Sequence, residues 1–143
     1  MIQAKYSVQK GDYLRAGEAS ADIKRVLKRL GIEGTVLRRI SVAAYEVEMN
    51  LVIHSMGGNM EMFIKDDTIW IVSKDEGPGI KDIEKAMTAG YSTADSVAQG
   101  MGFGAGMGLP NMKRNADKFT IDSTPGLGTE ITMGFSIKGN CDG

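Results

Sequence analysis

Polar and apolar positions alternate cleanly over residues 2–8, with Ile2, Ala4, Tyr6 and Val8 on one side and Gln3, Lys5 and Ser7 on the other. A period of two predicts a strand with one wet face. Over 18–30 the period lengthens: Ile23, Val26, Leu27 and Leu30 recur at i, i+3, i+4 and i+7, basic residues fall between them, and Gly31 follows as a stop. That pattern predicts an amphipathic helix. A longer helix is predicted from about 35 to 54, on the stripe Leu37, Ile40, Ala44, Val47 and Leu51. Gly57-Gly58 then turns the chain into two strands, 59–65 and 68–74, joined at Asp66-Asp67. Beyond them the pattern predicts a short helix near 82–88, a further helix over 108–117, and strands over 118–123 and 129–137. In the last strand Ile131, Met133, Phe135 and Ile137 alternate with Glu130, Thr132, Gly134 and Ser136.

Alternating strands imply a sheet with one covered face, and three helices are available to cover it. The predicted architecture is α+β: a two-layer sandwich with a mixed, mostly antiparallel sheet and helices on one face. At 143 residues and 15.4 kDa the chain is sized for one domain, spanning 1–143. A net charge of −1 argues against a direct nucleic-acid binder. Cys141 is the one cysteine, so no intrachain disulfide framework is expected and the cytoplasm is the default compartment. No apolar run approaches the ~20 residues of a membrane span and Met1-Ile2-Gln3-Ala4-Lys5 lacks a basic-then-apolar pattern, so neither membrane insertion nor secretion is expected. The 10 methionines read as adaptable core filling. Glycine changes the picture more: 19 in all, eight of them between residues 77 and 108, which marks that stretch as a long flexible lid.

Three places can carry chemistry. Glu46, Asn50 and His54 recur every four residues and share a helix face beside the apolar stripe. Such a row either lines a cleft or forms a solvated flank. Asp75 ends a strand and runs into Glu76-Gly77-Pro78-Gly79-Ile80. This is either an ordinary turn, or a carboxylate offered to an exocyclic amine beside backbone that can lie against a flat ligand. Gly100, Gly102, Gly104, Gly106 and Gly108 alternate with other residues up to Leu109-Pro110 and a helix. Successive N–H groups there can wrap a phosphate at a helix N-terminus, or the run is a hinge. Familiar alternatives fail: no Gly-Lys dipeptide exists for a P-loop, no Gly-x-Gly-x-x-Gly is complete, and one histidine and one cysteine cannot build a zinc site.

Taken in order, these residues resemble the Bergerat-fold (GHKL) ATP-binding superfamily. Glu46-x-x-x-Asn50 resembles its N box, Asp75-x-Gly77-x-Gly79 its first glycine box and residues 102–108 its second, while Gly126-Leu127-Gly128-Thr129 resembles the closing Gly-x-Gly-Thr. Asn50-Leu-Val-Ile-His54, Gly90-Tyr91-Ser92-Thr93 and Gly108-Leu109-Pro110 followed by Lys113-Arg114 resemble the branch of anti-sigma-factor and stressosome switch serine kinases. The resemblance implies a kinase that moves the ATP γ-phosphoryl group to a serine or threonine of a STAS-domain partner. Some members of that branch also hold a sigma factor or another regulatory protein. It implies Asp75 at the adenine amine with Thr129 assisting, and Gly77, Gly79 and Ile80 shaping the purine pocket. It further implies Asn50 on Mg²⁺, His54 among the nucleotide-binding residues, and Gly102, Gly104, Gly106, Gly108 and Leu109 at the phosphates. Glu46 would be the general base, and Lys113 and Arg114 candidate cations for the transferring group. A nucleotide-gated sequestering protein and a simple ATPase are the alternatives, and homodimerisation is compatible with the same resemblance. One departure is Ile53, where sensor histidine kinases carry lysine; another is that no histidine precedes His54, which excludes a self-contained sensor kinase.

The charge is split along the chain. Residues 1–39 hold nine Lys/Arg against four Asp/Glu, a net of +5, and residues 46–95 hold four against ten, a net of −6. The first helix, with Lys24, Arg25, Lys28 and Arg29, is either a docking face for an acidic partner or a solvated face.

Overall fold

In the computed structural model the described residues are 3–9, 11–12, 14–54, 57–75, 108–124 and 127–137. They form, in order, β1 (Gln3–Val8), α1 (Glu18–Arg29), α2 (Gly34–His54), β2 (Gly58–Lys65), β3 (Thr68–Asp75), α3 (Gly108–Asn115), β4 (Lys118–Thr124) and β5 (Gly128–Ser136). The five strands make one sheet in the order β1-β2-β3-β5-β4. Every pairing among them is antiparallel, in line with the mostly antiparallel sheet expected from the sequence. The predicted helix at 82–88 and the glycine lid fall outside the described residues.

The period-two strands put Met60, Met62, Ile69, Ile71, Ile131, Met133 and Phe135 on one face, all fully buried. Registers such as Met62↔Ile71↔Met133 align these side chains across three strands. They meet Ile23 and Leu27 of α1, Ile40, Ala44, Val47 and Leu51 of α2, and Met112 of α3 in one hydrophobic core. The other face carries Lys5, Glu61, Trp70 and Thr132. Layering follows from the difference in period: a strand buries alternate residues, a helix one stripe.

Local chemistry sets the joints. The β2–β3 turn is Asp66-Asp67 with φ of 53° and 59°, the type I′ geometry that matches the twist of a hairpin and that aspartate tolerates better than most residues. α1 ends with Gly31 N–H on the Lys28 carbonyl and Ile32 N–H on that of Leu27, a Schellman closure. α2 starts on Glu33, whose carboxylate accepts the N–H groups of Thr35 and Val36 at 2.8–3.1 Å. Among the described residues no helix is long and apolar enough to cross a membrane.

Candidate functional site

The site is built on α2 and on one corner of the sheet. Glu46 and Asn50 lie one turn apart on α2, half-buried at the edge of the stripe formed by Ile40, Ala44, Val47 and Leu51. His54 ends the helix, and its side chain lies outside the described residues. Between them sits a residue that the sequence reading passed over. Glu48 is only 2% exposed, and its carboxylate accepts N–H groups from Gly17 at 3.0 Å, Ala19 at 3.2 Å and Ser20 at 2.9 Å. Those are the unpaired donors at the start of α1, where a negative charge also meets the positive end of the helix dipole. Glu48 thereby locks α1 to the helix that carries Glu46 and Asn50. A signal for it was present: Glu48 falls four residues after Ala44 and four before Val52, inside an otherwise apolar face.

At the sheet corner Asp75 closes β3. One carboxylate oxygen accepts the Thr129 N–H of β5 at 3.1 Å, and the Thr129 hydroxyl shares a hydrogen bond of 2.8 Å with Ser123 of β4. This backbone contact orients the carboxylate. Gly58, opposite Asp75 in the β2–β3 register, leaves no room for a side chain: a Cβ there would lie 2.2 Å from the Lys74 carbonyl and 2.9 Å from the Asp75 Cα. Two residues before Asp75, on the helix-facing side, Ser73 is 1% exposed. Its hydroxyl has no hydrogen-bond partner among the described residues. Ser73 and Ser123 gave no motif signal because their roles depend on strand register.

The start of α3 meets α2. A Cβ on Gly108 would stand 3.7 Å from Glu46 Oε1, and Asn111 in the first turn donates from Nδ2 to Glu46 Oε2 at 2.8 Å. Pro110 suits this turn because its missing N–H is among those a helix start leaves unpaired. Leu109, expected at the phosphates, is buried in the core. Lys113 and Arg114 are exposed in the last turn of α3, where their charge also complements the helix C-terminus. Gly77, Gly79, Ile80, Gly102, Gly104 and Gly106 lie outside the described residues. On its outer side Glu46 borders a groove of about 600 Å³ lined by Lys24, Leu37, Arg38, Ser41, Val42 and Tyr45. Burial pushes the Tyr45 phenol above its ordinary pKa, with the charges of Glu46 and Glu48 adding to the effect.

These groups suit a purine nucleotide. A carboxylate held by backbone is an acceptor for an exocyclic amine, a buried hydroxyl without a partner among the described residues lies two positions before it, and a helix start is the natural place for a phosphate. Among the described residues no cluster of three or more His, Cys, Asp or Glu side chains could hold a metal ion. Asn50, with its amide oxygen at the edge of the stripe, is a residue that could contribute one ligand to a hard, well-hydrated cation such as Mg²⁺.

Comparison with known proteins identifies the fold and the family. The serine/threonine-protein kinase RsbT of Bacillus subtilis is 35% identical over 112 residues, covering 76% of this chain and 78% of its own. The anti-sigma F factor of Caldanaerobacter subterraneus is 35% identical over 99 residues, 66% of each chain. The crystal structure of the RsbU and RsbW domains of Rv1364c from Mycobacterium tuberculosis superposes with a TM-score of 0.65 at 15% identity, over 96% of this chain and 32% of that one. The model of the histidine kinase-like ATPase domain matches residues 11–135. With a five-stranded antiparallel sheet and three helices among its described residues, the chain belongs to the histidine kinase-like ATPase domain family.

Proposed function

We propose that the protein is an ATP- and Mg²⁺-dependent serine/threonine protein kinase whose acceptor is a hydroxyl on a STAS-domain regulatory partner. The observation that carries this reading is the position of Glu46, which meets the start of α3 with its carboxylate and is among the residues lining the open groove along α1 and α2. A phosphate held at the helix start and a hydroxyl arriving along the groove would meet at that carboxylate. Asp75 accepts from the purine amine and, with Thr129, sets the depth of the nucleotide. Asn50 would hold Mg²⁺, which would supply charge neutralisation at the phosphates when bound. Glu46 orients the acceptor hydroxyl and takes its proton. The new bond joins the acceptor oxygen to the γ-phosphorus, the bond to the β–γ bridging oxygen breaks, and ADP departs. Lys113 and Arg114 are the proposed cations for the transferring group. RsbT is named a serine/threonine-protein kinase, which supports the reaction class.

The test is phosphate transfer from ATP to a STAS-domain protein in the presence of Mg²⁺. Glu46→Ala is expected to lose ~10²–10⁴-fold in rate, the usual contribution of a general base, while still binding ATP. Full activity in that variant would remove Glu46 from its role. The relatives named anti-sigma F factor support a second reading, in which holding a sigma subunit is the main output. Nucleotide-dependent co-purification of such a subunit, without transfer, would favour it.

A further inference from the structure

The bond between Asn111 and Glu46 joins residues 65 apart in sequence, and nothing in the motif pattern anticipates it. We propose that Asn111 is a positioning residue for Glu46, fixing the carboxylate so that one oxygen stays directed at the acceptor hydroxyl; this rests on the reading of Glu46 as the base. An ionised carboxylate can only accept, so the 2.8 Å contact must use the amide NH₂ of Asn111. That bond occupies Oε2. Oε1 faces Gly108, where a Cβ would sit 3.7 Å away and none is present. Unrestrained, a glutamate carboxylate rotates through several orientations, and a base acts only within hydrogen-bond reach of its proton, about 2.6–3.2 Å. Asn111 is itself firmly held. Its neighbours Leu109 and Met112 are buried, its carbonyl accepts from the Asn115 side chain at 2.8 Å, and Arg39 of α2 donates to the Asn115 carbonyl at 3.0 Å. The amide therefore reaches Glu46 from a helix tied to α2 at both ends.

Single-turnover transfer to the STAS-domain partner, with ATP affinity measured separately by calorimetry, tests the role. Asn111→Ala is expected to slow transfer by about 10-fold or more, because misplacement of a reacting group by about 1 Å can cost 10²-fold. Its ATP affinity should stay within about twofold, since the bond is to a catalytic carboxylate. Asn111→Asp preserves shape but sets one carboxylate against another, so it should slow transfer at least as much as Asn111→Ala. A residue that merely fills space would tolerate aspartate. In a Glu46→Ala background Asn111→Ala should have little further effect. Transfer at the normal rate in Asn111→Asp, a loss confined to ATP affinity, or a full additional loss on top of Glu46→Ala would each overturn the proposal. Faster transfer in Asn111→Ala would do the same and make the bond an inhibitory one. Full activity in Glu46→Ala alone would instead sink the base assignment and the proposal with it, whereas a slow Glu46→Ala with additive Asn111→Ala would sink only the positioning role.

Discussion

At the scale of single residues, two buried polar groups of opposite status frame the site. Glu48 is fully engaged, receiving three backbone N–H groups from the start of α1. Glu48→Gln keeps the shape but turns an NH₂ group toward those donors, and each stranded buried donor costs about 1–3 kcal/mol. We expect the variant to lose about 2–4 kcal/mol of stability, read as a shift in the urea midpoint with unchanged slope. A loss below about 1 kcal/mol would mean that α1 does not depend on this carboxylate. Ser73 is the reverse case, a buried hydroxyl without a partner among the described residues. Ser73→Ala removes the desolvation cost, so the nucleotide-free protein should melt higher by a few degrees, corresponding to about 1 kcal/mol. If the hydroxyl finds its partner on the nucleotide or on water beside it, the same variant should bind ATP more weakly. A variant that is less stable without nucleotide would show that the hydroxyl is already satisfied.

At the scale of elements, glycine positions transmit strand geometry to the site. Gly58 faces the end of β3, where a Cβ would lie 2.2 Å from backbone oxygen. Gly58→Ala must therefore move Asp75 away from the Thr129 N–H. Weaker ATP binding is expected, together with a destabilisation of about 1–3 kcal/mol typical of overpacking. Gly134→Ala on the opposite face meets the Trp70 ring at 2.8 Å and should cost comparable stability without the loss of ATP affinity. Equal ATP affinity in the two variants would break the link between β3 register and the purine anchor. Elements of this kind were legible in the sequence because each is a local pattern. The alternation of Ile131, Met133 and Phe135 placed β5 to within one residue, and the helix stripe through Val47 put Glu46 and Asn50 at a buried edge. The helix predicted over 108–117 stops at Asn115, because the Asp117 N–H turns to the Gly134 carbonyl of β5. The order of the strands within the sheet, the docking of Glu48 onto α1 and the Asn111–Glu46 bond were not legible. Each joins residues far apart in the chain, and no spacing rule reaches across a fold.

At the scale of the whole molecule, acid should loosen the joint between helices and sheet before it reaches the core. Asp117 sits where three elements converge: its carboxylate accepts from Arg39 of α2 at 2.8 Å and from the Ser136 N–H of β5 at 2.7 Å, just beyond the end of α3. Burial pushes its pKa up, but those two donors and the Arg39 charge outweigh burial and hold it below the ordinary aspartate value. Glu33 is likewise lowered, chiefly by the N–H groups of Thr35 and Val36 at the start of α2. A carboxyl whose folded pKa is depressed binds fewer protons folded than unfolded, so its contribution is present above the unfolded value of about 4 and is lost as pH falls through the folded one. Tyr6, raised mainly by burial and partly offset by Arg25, acts at the other limit. Its raised pKa means stability declines as pH climbs above about 10. Urea unfolding should therefore give a plateau between these limits and a falling limb below about pH 4. Because Arg39 and Asp117 are 31% and 42% exposed, solvent screens their pairing, and its share of the acid limb should be no more than about 1 kcal/mol. Asp117→Asn should lower stability at pH 7 by a similar amount and make the acid limb shallower, whereas an unchanged slope between pH 5 and 3 would mean that the joint at Asp117 does not sense acid.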